Sequence, residues 1–186
     1  MSNTLVIHPD DRSTDFLKLI YEGKCYDVVN FDDNELIDYE PHEIKGILYN
    51  DIEKHDRILL MGHGTHYGLL NPKRGGFIVD DSFADLLNTK DIVSIWCFSD
   101  QFFKRNDIYN NQLHTGMIIS EVLEQLYVLG RVYLNKDEQL KNMNMFAKAI
   151  NECIEESPEK MREHILKNYV GEDPVTEFNR RNILVF

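Results

Sequence analysis

The sequence predicts an α/β fold, a three-layer α-β-α sandwich with a mainly parallel sheet. Three segments, at 4–9, 56–62 and 91–99, are apolar almost throughout, which is typical of strands buried on both faces. Segments with helical spacing separate these strands, so crossover connections between parallel strands are expected. The 186 residues can bury one full core, and we interpret residues 1–186 as a single domain.

The first third of the chain alternates between strand and helix patterns. TLVIHP predicts a strand that ends at Pro9, DFLKLIYEG a helix that ends at Gly23, and YDVVNF a second strand. A helical pattern covers 34–49, where Pro41 marks a break or a new start. DRILLMG is the third strand.

The middle of the chain adds a hairpin, a helix and a fourth strand. YGLLNPKRGGFIVD (67–80) has two apolar pieces around a turn with Pro and Gly, which predicts a β-hairpin. DSFADLLNTK (81–90) predicts a short helix with Ser82 as its N-cap. DIVSIWCFS (91–99) is the fourth strand.

The last third is predominantly helical. A short strand is expected at 117–119, followed by a helix, and then a long amphipathic helix at 136–157. Another helix is expected to begin with Ser157 at the N-cap and Pro158 in its first turn. The tail, FNRRNILVF, ends apolar and either adds a strand or packs against the body.

Charge and composition exclude several kinds of partner. The formal net charge is −12 and the sequence pI is about 4.9, so non-specific binding to nucleic acid or to an anionic membrane is not expected. No apolar run approaches the length of a membrane span, and MSNTLVIHPDDR lacks the pattern of a signal peptide. Three widely spaced cysteines form neither a disulfide framework nor a metal motif. We therefore expect a reduced, cytoplasmic setting and no cofactor.

Two of the predicted strands end in reactive residues. The third strand leads to His63 and the fourth to Cys97. Ligands bind at the carboxyl ends of the strands in an open parallel sheet, so both side chains can face one crevice if the strands are neighbours. A thiolate with a nearby imidazole is the arrangement that nucleophilic catalysis by cysteine requires. Gly64 directly follows the histidine, and its N–H, with that of Cys97, could bind the oxyanion of a tetrahedral intermediate.

These two strand ends resemble those of the caspase-like cysteine peptidases, the group that includes caspases, metacaspases, legumains, gingipains and clostripain. The matching stretches are RILLMGHG and DIVSIWC, and the pattern extends over roughly residues 4 to 130. The resemblance implies a caspase-like fold and peptide-bond hydrolysis. It makes His63 the catalytic histidine, Cys97 the nucleophile, and the main-chain N–H groups of Gly64 and Cys97 the oxyanion hole. A peptide or protein is then the substrate, and the oligomeric state stays open.

The resemblance also indicates where substrate would bind. The stretch HPDDRSTDF follows the first strand, where family members place part of the pocket for the residue before the scissile bond. There Asp10 or Asp11 would select a basic side chain, whereas Arg12 would select an acidic one; the overall negative charge favours a basic substrate. Asp100, after the nucleophile, and Ser120, further along, are additional candidates for substrate contact.

Two other hypotheses remain open. One is a non-catalytic protein of the same fold that acts as a binding or scaffold module. The other is a metal-dependent hydrolase, since His63, His66 and Cys97 could together bind zinc and leave one position for water.

Overall fold

Two β-sheets form the framework of the structure, a computed structural model that describes residues 3–9, 11–29, 31, 41–73 and 75–185. The strands are β1 (Thr4–Ile7), β2 (Asp27–Val28), β3 (Arg57–Met61), β4 (Gly64–Thr65), β5 (Gly68–Leu70), β6 (Phe77–Val79), β7 (Asp91–Ile95), β8 (Gln112–Thr115) and β9 (Ile183–Val185). The larger sheet has the order β2-β1-β3-β7-β8-β9, and β4, β5 and β6 form a small antiparallel sheet. Among the described strands of the larger sheet, β9 runs antiparallel to its neighbour and the others pair in parallel.

Helices connect the strands and cover the larger sheet. They are α1 (Pro41–Lys54), α2 (Ala84–Leu87), α3 (Ser99–Arg105), α4 (Val122–Leu129), α5 (Lys136–Asn151), α6 (Pro158–Asn168) and α7 (Pro174–Arg181). The described residues also form 3-10 helices at Arg12–Ile20 and Asp81–Phe83. No helix within the described ranges is long and apolar enough to cross a membrane.

The larger sheet separates two hydrophobic cores, because successive side chains of each strand point to opposite faces. In β3, Leu59 and Met61 belong to one core, which the first 3-10 helix, α5 and α6 cover. Ile58 and Leu60 belong to the other, which contains side chains of α1, α2, α3 and the small sheet. This arrangement confirms the predicted α/β class with a mainly parallel sheet and helices on both of its faces.

Several predicted elements are confirmed. The four strands predicted first contain β1, β2, β3 and β7, and the predicted hairpin contains the antiparallel pair β5 and β6. The long amphipathic helix is α5, although it ends at Asn151. The following helix begins as expected, with Ser157 at the N-cap and Pro158 in its first turn. The tail adds β9 to the sheet edge.

Other predictions about local structure are wrong. The strand is not at 117–119 but at Gln112–Thr115, and it lies in the sheet although its sequence, QLHT, is largely polar. The backbone N–H of Ile119 donates to the side chain of Asn179 instead of to a strand. Helix α7 has no counterpart among the predicted elements.

The other differences concern helix starts and helix type. The cap before the second 3-10 helix is Asp80, not Ser82, because the Asp80 carboxylate accepts from the backbone N–H of Ser82. The helix expected at 15–23 is a 3-10 helix that begins at Arg12. Of the helix predicted at 34–49, residues 34–40 lie outside the described part of the chain.

Candidate active site

His63 and Cys97 occupy equivalent positions after two neighbouring strands. Strands β3 and β7 pair in parallel, and their last rung joins Met61 to Ile95. Each strand thus ends two residues before the reactive side chain, slightly earlier than the sequence predicted. The two strands are neighbours, which is the condition for both residues to face one crevice. Their common register carries His63 and Cys97 to the same edge of the sheet.

Both side chains line one small cavity of about 20 Å³, enough for roughly one water-sized group. The other residues around it come from the first 3-10 helix, the two strand ends, the segment after β8, and α5. They are Thr14, Phe16, Leu17, Gly62, Ile95, Trp96, Ile118, Ser120 and Phe146. His63 and Cys97, the two residues predicted to be catalytic, therefore share one cavity.

The thiol of Cys97 is held in its neutral form. It is partly buried, and its Sγ donates to the backbone carbonyl oxygen of Ile118 at 3.6 Å. Burial raises the pKa of Cys97 to about 11, and the charge of Glu124 acts in the same direction. A thiol in this environment reacts only after its proton has been removed.

The backbone turns sharply directly after Cys97. Phe98 has a φ of 67° and lies in the left-handed region, which non-glycine residues seldom adopt. This turn joins the end of β7 to α3 and lets the N–H of Phe98 donate to the carbonyl oxygen of Gly116. In the described part of the chain, the N–H of Cys97 itself donates to no protein group. That N–H is available to a ligand beside the thiol.

His63 is oriented by a hydroxyl and a carboxylate from the segment after β1. Its Nε2 lies 2.7 Å from Oγ of Ser13, and that hydroxyl donates to Oδ1 of Asp11 at 2.5 Å. The same carboxylate oxygen accepts from the backbone N–H of Ser13 at 2.8 Å and caps the 3-10 helix. The hydrogen bond from the Ser13 hydroxyl is the main cause that lowers the pKa of Asp11. Asp11 is therefore ionised at neutral pH.

These bonds determine which nitrogen of His63 carries the proton. A serine hydroxyl has one proton, and that of Ser13 is given to Asp11. Oγ of Ser13 must then accept from His63, so Nε2 of the neutral imidazole is protonated. The other ring nitrogen, Nδ1, keeps a lone pair and is the atom that can take up a proton.

Gly64 is required by the close approach of an indole ring. A Cβ atom added at Gly64 would lie 2.1 Å from Cδ1 of Trp96. The same indole donates from Nε1 to the carbonyl oxygen of Thr65 at 3.1 Å. The loop that carries His63 is thus fixed against the residue that precedes Cys97.

A buried polar network supports the segment that faces the thiol. The side chain of Asn179 accepts from the N–H of Ile119 at 2.8 Å and donates to its carbonyl oxygen at 3.0 Å. Gln139 donates to the same carbonyl oxygen at 3.0 Å. Tyr169 and Asn142 extend this network into the core through further hydrogen bonds. The carbonyl group of Ile118 is therefore part of a rigid wall.

The predicted substrate-binding residues have different positions. Asp10 lies outside the described residues. Asp11 holds Ser13, and Arg12 is exposed at the start of the 3-10 helix. Asp100 is buried on α3, where Oδ2 lies 3.4 Å from Nζ of Lys104. Ser120 lines the cavity, and both its N–H and its hydroxyl donate to the Glu124 carboxylate.

The zinc hypothesis receives no support from the geometry. Within the described ranges, no group of three or more His, Cys, Asp or Glu side chains is placed to hold a metal ion. The ring of His66 lies against that of Tyr67, with centroids 3.9 Å apart.

Similarity to known proteins does not add a function. No family model matches the chain, and neither a curated protein nor a solved structure matches it.

Ser13 and the rigid wall around Ile118 were not among the predicted site residues. The signal for Ser13 was present, because Asp-x-Ser at the start of a helix is typical of a side-chain cap in which the aspartate accepts from the serine. Asn179 and Gln139 left no comparable signal, since they are distant in sequence from the segment that they hold.

Proposed function

We propose that this chain is a cysteine endopeptidase with a caspase-like fold, in which Cys97 is the nucleophile and His63 the acid and base. The observation that carries the proposal is the placement of the two side chains around one cavity, at matching positions beyond paired strands. The orientation of His63 by Ser13 and Asp11 adds support, because a catalytic histidine needs a defined tautomer. The site of action is cytoplasmic, and the substrate is a peptide or protein.

The proposed reaction begins with proton transfer from the thiol. Nδ1 of His63 takes the proton of Cys97, and the thiolate attacks the carbonyl carbon of the scissile bond. The resulting oxyanion accepts from the N–H of Cys97 and from that of Gly64. His63 then gives its proton to the leaving amine, and the bond between carbon and nitrogen breaks. A water molecule hydrolyses the thioester and restores the thiol, and no cofactor is consumed.

The neutral state of the Cys97 thiol in the free protein limits when the proposed proton transfer can occur. Since the pKa of Cys97 is about 11 in the free protein, the proton must leave when substrate enters and not before. Substrate that displaces the Sγ–carbonyl contact with Ile118 would allow the transfer. The same observation favours the second candidate, a non-catalytic scaffold, in which Cys97 stays neutral in every state.

A digest of a proteome-derived peptide library tests the proposal without assuming a specificity. Wild type, Cys97→Ala, His63→Ala and Cys25→Ser are each incubated with the library, and new amino termini are identified by mass spectrometry. Cys25 is an exposed thiol outside the cavity, so its variant is a matched control. We expect new termini with wild type and Cys25→Ser, and none with the other two.

Two results would contradict the proposal. New termini that persist in Cys97→Ala would assign cleavage to a different group or to a contaminant. An absence of termini with wild type, when circular dichroism shows the protein to be folded, would favour the scaffold hypothesis.

A further inference from the structure

A larger cavity adjoins the small one that His63 and Cys97 line. Its volume is about 630 Å³, within the range of about 300–1,000 Å³ that is typical of ligand pockets. Phe16 and Ser120 line both cavities, and Ser13, which binds His63, lines the larger one. A ligand at the thiol can therefore extend directly into this space.

The lining of the larger cavity is mainly apolar. Its hydrophobic side chains come from the first 3-10 helix, from α4 and the loop after it, and from α5. They are Phe16, Val122, Leu123, Val132, Leu140 and Met143. Leu123, Val132 and Leu140 are 64%, 49% and 55% exposed. Such a concentration of exposed large apolar side chains around one depression marks a binding surface.

Three uncharged polar side chains of the lining are engaged within the protein. Ser13 is bonded to Asp11 and His63, and Ser120 donates to Glu124. Gln139 donates to the carbonyl oxygen of Ile119 and accepts from Gln125. Asn135, which also lines the cavity, is exposed and accepts at Oδ1 from the N–H groups of Asp137 and Glu138. Ser13, Ser120 and Gln139 have little capacity left for the polar atoms of a ligand side chain.

Among the described residues, the charged side chains of the lining are one acid and one base. Glu121 is the N-cap residue of α4 and Lys136 the first residue of α5, and both are exposed. Their charges have opposite sign, so the lining has no net charge that would select a basic or an acidic side chain. The selective feature that remains is apolar contact.

We infer that the larger cavity selects peptide substrates in which the residue immediately before the scissile bond has a large apolar side chain, such as leucine. This inference rests on the proposed function, because the cavity is identified as a substrate pocket by its contact with the candidate active site. It replaces the basic or acidic preference that the residues 10–12 alone would imply.

Thiol-reactive probes that differ in one residue test the inference. Acyloxymethyl ketones with leucine, arginine or aspartate next to the warhead are applied to wild type, Leu123→Lys and Leu126→Lys. Leu126 lies on the same helix and is 48% exposed but does not line the cavity, so it is the matched control. We expect the leucine probe to label Cys97 fastest. Leu123→Lys should slow that labelling about tenfold or more, and Leu126→Lys should change it less than about twofold.

Faster labelling by the arginine or aspartate probe would overturn the apolar preference while leaving the peptidase proposal intact. Equal effects of the two lysine variants would also overturn it. Complete lack of labelling would contradict the peptidase proposal, and a second measurement then tests the cavity alone. Binding of acetylated tripeptide amides that end in leucine or arginine to Cys97→Ala is followed by NMR. Leucine-selective binding that Leu123→Lys abolishes would support the apolar site, and an absence of binding would overturn it.

Discussion

Oγ of Ser13 lies 2.7 Å from Nε2 of His63, although the two residues belong to different elements at the carboxyl edge of the sheet. The same hydroxyl donates to Asp11. In the proposed reaction Ser13 is therefore a positioning residue, because its hydroxyl orients the ring of His63 and defines its tautomer. Removal of the Ser13 hydroxyl is therefore a direct test of the proposed site.

We expect Ser13→Ala to lower the rate of labelling or cleavage at Cys97 by about tenfold or more, because His63 loses the bond that fixes its tautomer. The matched control is Ser82→Ala. Ser82 donates its N–H and its hydroxyl to Asp80 in the same way, at the start of the second 3-10 helix. Both variants should lose similar stability, whereas only Ser13→Ala should alter activity. Nitrogen NMR of the His63 ring gives an independent readout, and an unchanged tautomer in Ser13→Ala would refute the positioning role.

The raised pKa of Cys97 predicts slow alkylation that depends on pH. At pH 8 a thiol with a pKa of about 11 is ionised in about one molecule in a thousand. The rate of carboxamidomethylation of Cys97 by iodoacetamide should therefore rise about tenfold for each pH unit between pH 7 and pH 10. Mass spectrometry of the digested protein measures it, and the exposed Cys25 in the same sample shows that reagent is present. A rate for Cys97 that is already maximal at pH 7 would show a preformed thiolate.

The contact between Gly64 and Trp96 predicts a strongly destabilising substitution. Gly64→Ala places a Cβ atom 2.1 Å from the indole, so the loop or the ring must move. We expect the free energy of unfolding to fall by about 1–3 kcal/mol or more. Gly46→Ala is the control, because Gly46 lies in α1 with nothing within 4 Å of its added Cβ; it should raise stability by about 0.5–1 kcal/mol. Urea denaturation measures both, and equal effects would show that the loop adjusts freely.

Buried His114 predicts part of the loss of stability in acid. Its Nδ1 lies 2.7 Å from Oγ of Ser94, and burial lowers the pKa of His114 to about 3 from an ordinary value of 6.5. Between pH 3 and pH 6.5 this histidine is protonated in the unfolded chain but not in the folded chain. Protonation therefore favours unfolding, so the free energy of unfolding is unaffected by His114 above pH 6.5 and falls as the pH is lowered below that value. From pH 7 to pH 5 the loss from this residue is about 2 kcal/mol. From pH 7 to pH 5 the free energy of unfolding of His114→Gln should therefore fall by about 2 kcal/mol less than that of wild type, as measured by urea denaturation. Equal losses in the two proteins would show that His114 does not contribute to the acid sensitivity.

The sequence predicted those parts of the fold that depend on local pattern. Apolar runs identified the buried strands, and helical spacing with Pro158 identified the start of α6. It failed for β8, because Gln112 and His114 are polar residues on a buried strand and only the neighbouring strands explain their position. Such residues are buried by tertiary context, which overrides local propensity.

The candidate site likewise has a part that local sequence predicted and a part that it did not. His63 and Cys97 were identified because each follows an apolar strand, and this position depends on the chain near the residue. Ile118 and Asn179 were not identified as parts of the site. The side chain of Asn179 binds the backbone of Ile119, next to Ile118, and this contact joins parts of the chain about 60 residues apart. The larger cavity likewise is formed by side chains from three separate segments, so no single stretch of sequence contains it.

The chain contains one tryptophan, and it is Trp96. Its indole touches Gly64 and binds the carbonyl oxygen of Thr65, while its own backbone leads directly into Cys97. The protein consequently carries a natural fluorophore at the junction of the two loops. Without any label, the wavelength and intensity of its emission should report each event that moves one loop relative to the other.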